Sequence, residues 1–165
     1  MAFEAYVSIK GSKQGQFKGE STKNERKYKW MPILEFEYSV QTPLDAATGQ
    51  ASGKRRWGTI KITKEVGIAT PQIYQAVTSN ETIQSAQIDF ARPDGNGKEA
   101  VYQTIQLTNG AIVGYKTYHG NSQGSGPKRV QRLEDLILEF EIEFVTGNGG
   151  APPRTGGIKR FGKWA

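Results

Sequence analysis

The stretch ITKEVGIATPQIYQAV, residues 62–77, changes its period partway along. Ile60 and Ile62 alternate with polar residues as far as Lys64, the two-residue repeat of a half-buried strand. Gly67 breaks that repeat. Thr70 then suits a helix N-cap, and Pro71 suits the first helical position, where an N–H is not needed. Ile73 and Val77 lie four residues apart with Tyr74 and Ala76 beside them, which predicts a helix of about two turns ending near Ser79 and Asn80. A helix so short does not persist in water alone. It must lay Ile73, Tyr74 and Val77 on apolar surface that is already built, at the open end or the side of a β-barrel. Gln72 and Gln75 are then expected at a surface.

The flanking sequence supplies that surface. Phe3, Ala5, Val7 and Ile9 alternate, as do Leu34, Phe36, Tyr38 and Val40. Downstream, Ala86, Ile88 and Phe90 share a face, and Val101, Ile105 and Leu107 return after the turn signals of RPDGNGKE, residues 92–99. Asn109-Gly110 gives a second hairpin signal before Ala111–Tyr118. Leu136, Leu138, Phe140, Ile142 and Phe144 then point one way, and Glu139, Glu141 and Glu143 the other. About seven one-faced strands predict a mainly β fold, an antiparallel β-barrel with one short α-helix packed beside it. A two-sheet sandwich is the alternative. Residues 10–29 read as a long polar loop. TPLDAATGQASGKRR, residues 42–56, has no apolar face and is too long for a simple turn, so it reads as an extended arm.

Composition narrows the function classes. A chain of 165 residues fits one domain with a real core. It holds no cysteine, which removes disulfides, thiolate metal sites and a cysteine nucleophile. No apolar run approaches the roughly 18 residues that cross a bilayer, so no membrane insertion is expected. The start MAFEAYVSIK lacks a basic segment followed by an apolar one, so no secretory signal is expected. The net charge of +6 suits either solubility or a nucleic-acid surface. The basic residues are spread over loops and tails rather than forming one stripe on a folded face, which makes nucleic acid the weaker reading.

Residues with catalytic chemistry are few. His119 is the only histidine and has no nucleophile in a recognisable motif beside it. Glu139, Glu141 and Glu143 are spaced roughly 7 Å apart along a strand, which overlaps glycosidase geometry. A catalytic acid needs a raised pKa through burial, however, and an exposed ladder is more simply a solvated face. Glu35, Glu37 and Lys64-Glu65 take the same reading. GNGK at 95–98 lacks the remainder of a phosphate loop and the helix that should follow it. No catalytic, metal or cofactor residue is assigned.

The runs SGKRRW (52–57), ITKEVGIATPQIYQAVTSNE (62–81), GKEAVYQTIQLTNGAIV (97–113) and LEDLILEFEIEF (133–144), with AFEAYVSIKG (2–11) at the start, resemble the Hcp (haemolysin-coregulated protein) family. The family forms the inner tube of the type VI secretion system. The resemblance implies a domain over residues 1–145 and leaves 146–165 as a basic tail with glycine and proline. It implies a homo-oligomer, a hexameric ring, with rings stacked into a hollow tube. The implied partners are a spike protein at the tube tip, a contractile sheath and secreted effectors. The implied location is the cytoplasm before assembly and then export without a signal peptide. A phage-like tail tube subunit is the runner-up, and a basic nucleic-acid-binding β-domain is the reading from another class. The arm residues Thr42, Asp45, Thr48, Lys54, Arg55, Arg56 and Trp57 are expected to bridge subunits or rings. The loop at 10–29 and the tail depart from the family pattern in length and composition.

Overall fold

The computed structural model describes residues 3–21, 29–53, 56–119, 132–146 and 154–156, with the backbone alone at 56–57, 141–146 and 154–156. In chain order these form β1 (Glu4–Gly11), β2 (Gly15–Gln16), β3 (Met31–Ile33), β4 (Glu35–Glu37), β5 (Val40–Gln41), β6 (Arg56–Trp57), β7 (Ile60–Glu65), α1 (Thr70–Thr78), β8 (Thr82–Pro93), β9 (Glu99–His119), β10 (Arg132–Thr146) and β11 (Arg154–Gly156). One antiparallel sheet runs β2-β1-β8-β9-β10-β7-β4, with β3 on β1 and β11 on β10; β5 and β6 form a separate pair. The fold is mainly β with one short helix.

The ladders do not form a complete ring, but one stretch of chain touches both edges. Tyr6 faces Pro32 in β3, while Lys61 faces Glu37 in β4. Residues 31–37 therefore pass from one edge of the sheet to the other and bend it towards a barrel. The change of partner falls at Leu34, whose N–H reaches the Thr63 carbonyl at 2.8 Å. It resets the side-chain parity. Met31 and Ile33 face the core, Leu34 stands 54% exposed, and Val40 is exposed as well. The expected single face of Leu34, Phe36, Tyr38 and Val40 is thus broken, because period-two reading assumes one unbroken strand.

The core gathers Val7, Ile9, Ile60, Ile62, Ile88, Leu107, Leu136, Leu138 and Phe140, all from one side of the sheet. Phe3 was expected with them but is largely exposed. It precedes the first paired residue, Glu4 opposite Ala91, and its ring stands T-shaped to Tyr102 at 6.4 Å. The presumed polar loop after β1 instead contributes Phe17, which is fully buried. Residues 22–28 of that loop lie outside the described residues.

Asn109-Gly110 makes no hairpin. β9 runs through it, paired with β8 on one side and β10 on the other. Asn109 takes a φ of 55°, and the register on β10 passes from Glu141 opposite Thr108 to Glu139 opposite Ala111. Two residues therefore face Phe140 alone, which is a β-bulge. A Cβ on Gly110 would overlap the Glu139 carbonyl and the Phe140 ring. The same local chemistry serves a turn or a bulge, and here continuous partners on both sides select the bulge. The hairpin at Asp94–Gly97 does form, with Asp94 Oδ1 accepting from the N–H groups of Asn96 and Lys98.

Past Val145 the sheet continues. Arg154–Gly156 pairs with Phe144–Thr146. Ile158, Phe161 and Trp164 of the tail lie outside the described residues.

Candidate functional site

Two parts of the molecule carry the expected site residues: the joint between helix and sheet, and the arm. The joint is built on the inner face of β7 and β10. Lys64 follows Ile60 and Ile62 on that face and lies opposite Glu134 in register. Both side chains are buried, and Lys64 Nζ lies 2.7 Å from Glu134 Oε1. Lys64 also donates to the Glu65 carbonyl at 2.6 Å. The other oxygen of Glu134 accepts from Thr70 Oγ1 and Tyr115 OH, each at 3.0 Å. Burial, the Glu134 hydrogen bond and the Glu134 charge together push the Tyr115 phenol above its ordinary pKa of 10.0. The expectation that Lys64 belongs to a solvated face is therefore corrected. A charge buried in low dielectric needs donors and a counter-charge, and this network supplies both.

Thr70 is drawn into that network and does not cap the helix. Ala69 occupies the N-cap position and no side chain caps it, while Pro71 stands in the first turn. The Thr70 hydroxyl accepts from the Gly67 N–H at 3.0 Å. Ile73 and Ala76 are buried on the core, with Ala69, and Val77 packs partly against it. Tyr74 departs from its expected packing position. It sits about 100° further round the helix than Ile73 and is 58% exposed, with its ring edge-on to Tyr115 at 6.1 Å.

The far end of α1 is tied down through Glu81. Its Oε1 accepts from the N–H groups of Lys13 and Gln14 at 2.7 and 2.8 Å, and its Oε2 from the Gln14 side chain at 2.8 Å. Gln72, expected at a surface, is partly exposed and bonds the loop after β1: its carbonyl accepts from Gln14 and its Oε1 from the Lys18 N–H. Burial raises the pKa of Glu81, but the hydrogen bonds from Gln14 and Lys13 and the Lys13 charge outweigh it and hold the carboxyl below 4.5. The ionised form is thus favoured by folding. Its contribution is complete above pH 4.5 and is lost as pH falls through the lower folded value. Glu81→Gln should cost about 2 kcal/mol at neutral pH. In acid, denaturant titrations of wild type and variant should converge. Parallel titrations across the range would contradict the assignment.

The arm is a hairpin. Val40 pairs with Trp57 and Gln41 with Arg56, and Leu44 bridges Ala51. Asp45 shapes its tip: its carbonyl accepts from Gly49, its Oδ1 from the Ala47 N–H, and its own N–H donates to Gln50. Thr48 Oγ1 faces the Gln50 N–H at 3.4 Å. Thr42, Asp45 and Thr48 are exposed, and so is Leu44 at 66%. Lys54 and Arg55 lie outside the described residues; for Arg56 and Trp57 the backbone ladder alone is described. The expected site residues thus divide between two places, the arm and the helix joint. The buried pair of Lys64 and Glu134 was missed, since a charge in an alternating run gives no sign of burial.

Elsewhere, a groove of about 360 Å³ crosses the outer face of β1, β8 and β9 and is lined largely by Ser8, Gln16, Ser85, Gln87, Gln106 and Thr108. Among the described residues no group of three or more His, Cys, Asp or Glu is arranged to hold a metal. No helix among them is long and apolar enough to cross a membrane.

Comparison with known proteins places this antiparallel β fold with one short helix in a known family. A family model described as "Type VI secretion system effector, Hcp" matches residues 6–145. The "Major exported protein" of Pseudomonas aeruginosa is 33% identical over 163 residues, covering 92% of this chain and 95% of the relative. Among solved structures, "Crystal structure of Hcp protein" superposes with a TM-score of 0.81 at 20% identity, covering 97% of this chain and 100% of the other. "Secreted protein Hcp3 from Pseudomonas aeruginosa" gives 0.72 at 22% identity, covering 96% and 100%. The chain belongs to the Hcp family of the type VI secretion system.

Proposed function

We propose that this chain is a subunit of the type VI inner tube. Copies join side by side into a closed ring, a hexamer by the family resemblance, and rings stack into a hollow tube. The tube carries effectors, bears a spike protein at its tip and is driven by a contractile sheath. The chain is cytoplasmic before assembly and leaves with the tube, needing no signal peptide. Its role in this reading is structural and not catalytic.

The observation that carries the proposal is the arm. Its described residues from Val40 to Gly53 are almost all exposed, and its strands form a sheet of their own. A hairpin whose described side chains are nearly all exposed gains little from its own chain. A second chain that buries Leu44 and completes the free strand edges would stabilise it. Deleting Ala46–Ser52 should leave the barrel's melting temperature within about 3 °C of wild type, since no core contact is lost. Sedimentation should show loss of the largest assemblies. Unchanged assembly would show that the arm has another purpose.

A further inference from the structure

Asparagine is followed by glycine at 96–97, 109–110 and 148–149. In such a pair the glycine nitrogen can attack the asparagine side-chain carbonyl carbon and close a five-membered ring, and no Cβ obstructs it. The ring closes only where the backbone can turn to bring those atoms together, so the same dipeptide reacts at a rate set by local opening of the fold. The third pair lies outside the described residues. The first two stand in opposite circumstances.

Asn96 and Gly97 form the tip of the hairpin between β8 and β9, where Asp94–Glu99 are all exposed. A Cβ on Gly97 would meet nothing within 4 Å. The bonds that hold the tip are polar and face water: the Gly97 N–H donates to the Asp94 carbonyl at 3.0 Å, and the Asn96 N–H to Asp94 Oδ1 at 2.8 Å. Water replaces these bonds when the tip opens, and no core contact is lost. Asn109 is exposed as well, but Gly110 is buried. The Glu139 carbonyl and the Phe140 ring each come within 2.2 Å of where its Cβ would stand. Gly110 is in register with Ile83 on β8, and its neighbours Thr108 and Ala111 are in register with β10. Turning that peptide would part β9 from both strands.

We propose that Asn96 is a modification site that deamidates spontaneously to aspartate and isoaspartate in the native protein, while the fold preserves Asn109. The Gly97 nitrogen loses its proton to solvent and bonds to Asn96 Cγ. The Cγ–Nδ2 bond breaks and the amide nitrogen leaves as ammonia. Water then opens the cyclic imide at either carbonyl; one product is aspartate, the other isoaspartate, whose main chain runs through the side-chain carbons. Nothing is oxidised or reduced. Each event adds one negative charge beside Asp94 to a chain of net charge +6. The isoaspartate form also lengthens the tip, so Asp94 Oδ1 loses its clamp on the N–H groups of residues 96 and 98.

Ageing the folded full chain at mildly alkaline pH, followed by peptide mapping, tests it. Asn96 should convert about ten-fold faster than Asn109 or more, and both should convert at comparable rates in denaturant. An isoaspartyl methyltransferase with labelled S-adenosylmethionine should label the peptide that carries residue 96, and Asn96→Ser should lose that label. Asp94-Gly95 can yield isoaspartate without a change in mass, so the mass rise from amide to acid assigns the event to Asn96. Equal rates for Asn96 and Asn109 in the folded chain would overturn the proposal. So would an Asn109 that stays intact in denaturant, since its neighbours in sequence and not the fold would then protect it.

Discussion

Lys64→Met should lower the unfolding free energy by about 4 kcal/mol. The substitution is close to isosteric in its stem, so the effect is electrostatic. It leaves Glu134, fully buried, without a counter-charge and with hydroxyl donors alone, from Thr70 and Tyr115. In a chain of this size that loss corresponds to a fall of about 12 °C in melting temperature. Glu134→Leu should cost less, about 3 kcal/mol, because the Glu20 carboxylate 3.9 Å from Lys64 Nζ remains as a weaker counter-charge. The paired change Lys64→Met with Glu134→Leu should recover much of the loss, because it removes both desolvated charges together. Chemical denaturation at fixed protein concentration reads all three, since assembly shifts apparent stability. Single variants within about 1 kcal/mol of wild type, below the range for breaking a buried pair, would mean that the pair is not buried in solution.

Ile73→Asp should be at least as damaging, by about 4 kcal/mol or more. Ile73 has no exposed surface and sits mid-helix between the Thr70 tie and the Glu81 tie. An aspartate there loses the apolar contact and meets no donor suited to its charge. Ile73→Val, which keeps the chemistry and removes one methyl group, should cost only about 1 kcal/mol. Hydrogen exchange locates the damage. Amides of α1 and of the Lys13–Gln14 turn should lose protection together, since Glu81 and Gln72 join them. Loss confined to α1 would show that the turn is held independently, and an unchanged melting temperature would contradict the packing of α1 altogether.

How far the sequence could be read depended on whether a signal was local. Leu136, Leu138 and Phe140 face the core as their two-residue period indicated, because burying one face of a strand leaves that period in the sequence. Pro71 marked the helix start for the same kind of reason. The Lys64–Glu134 pair had no such mark. Each residue alone looks like an exposed position, and only the register of β7 against β10 brings them together. Glu81 was silent likewise, since its donors come from a turn far away in sequence. Asn109-Gly110 misled because a positive φ serves a bulge as well as a turn. The arm was legible as a projection. Its hairpin was not, because its strands are only two residues long, too short to show alternation.

The most direct test of the account is the mass of the purified full chain in solution, by native mass spectrometry or light scattering. Self-association into a closed ring predicts particles of about six copies, with larger multiples as concentration rises. A strict monomer at every concentration would contradict it.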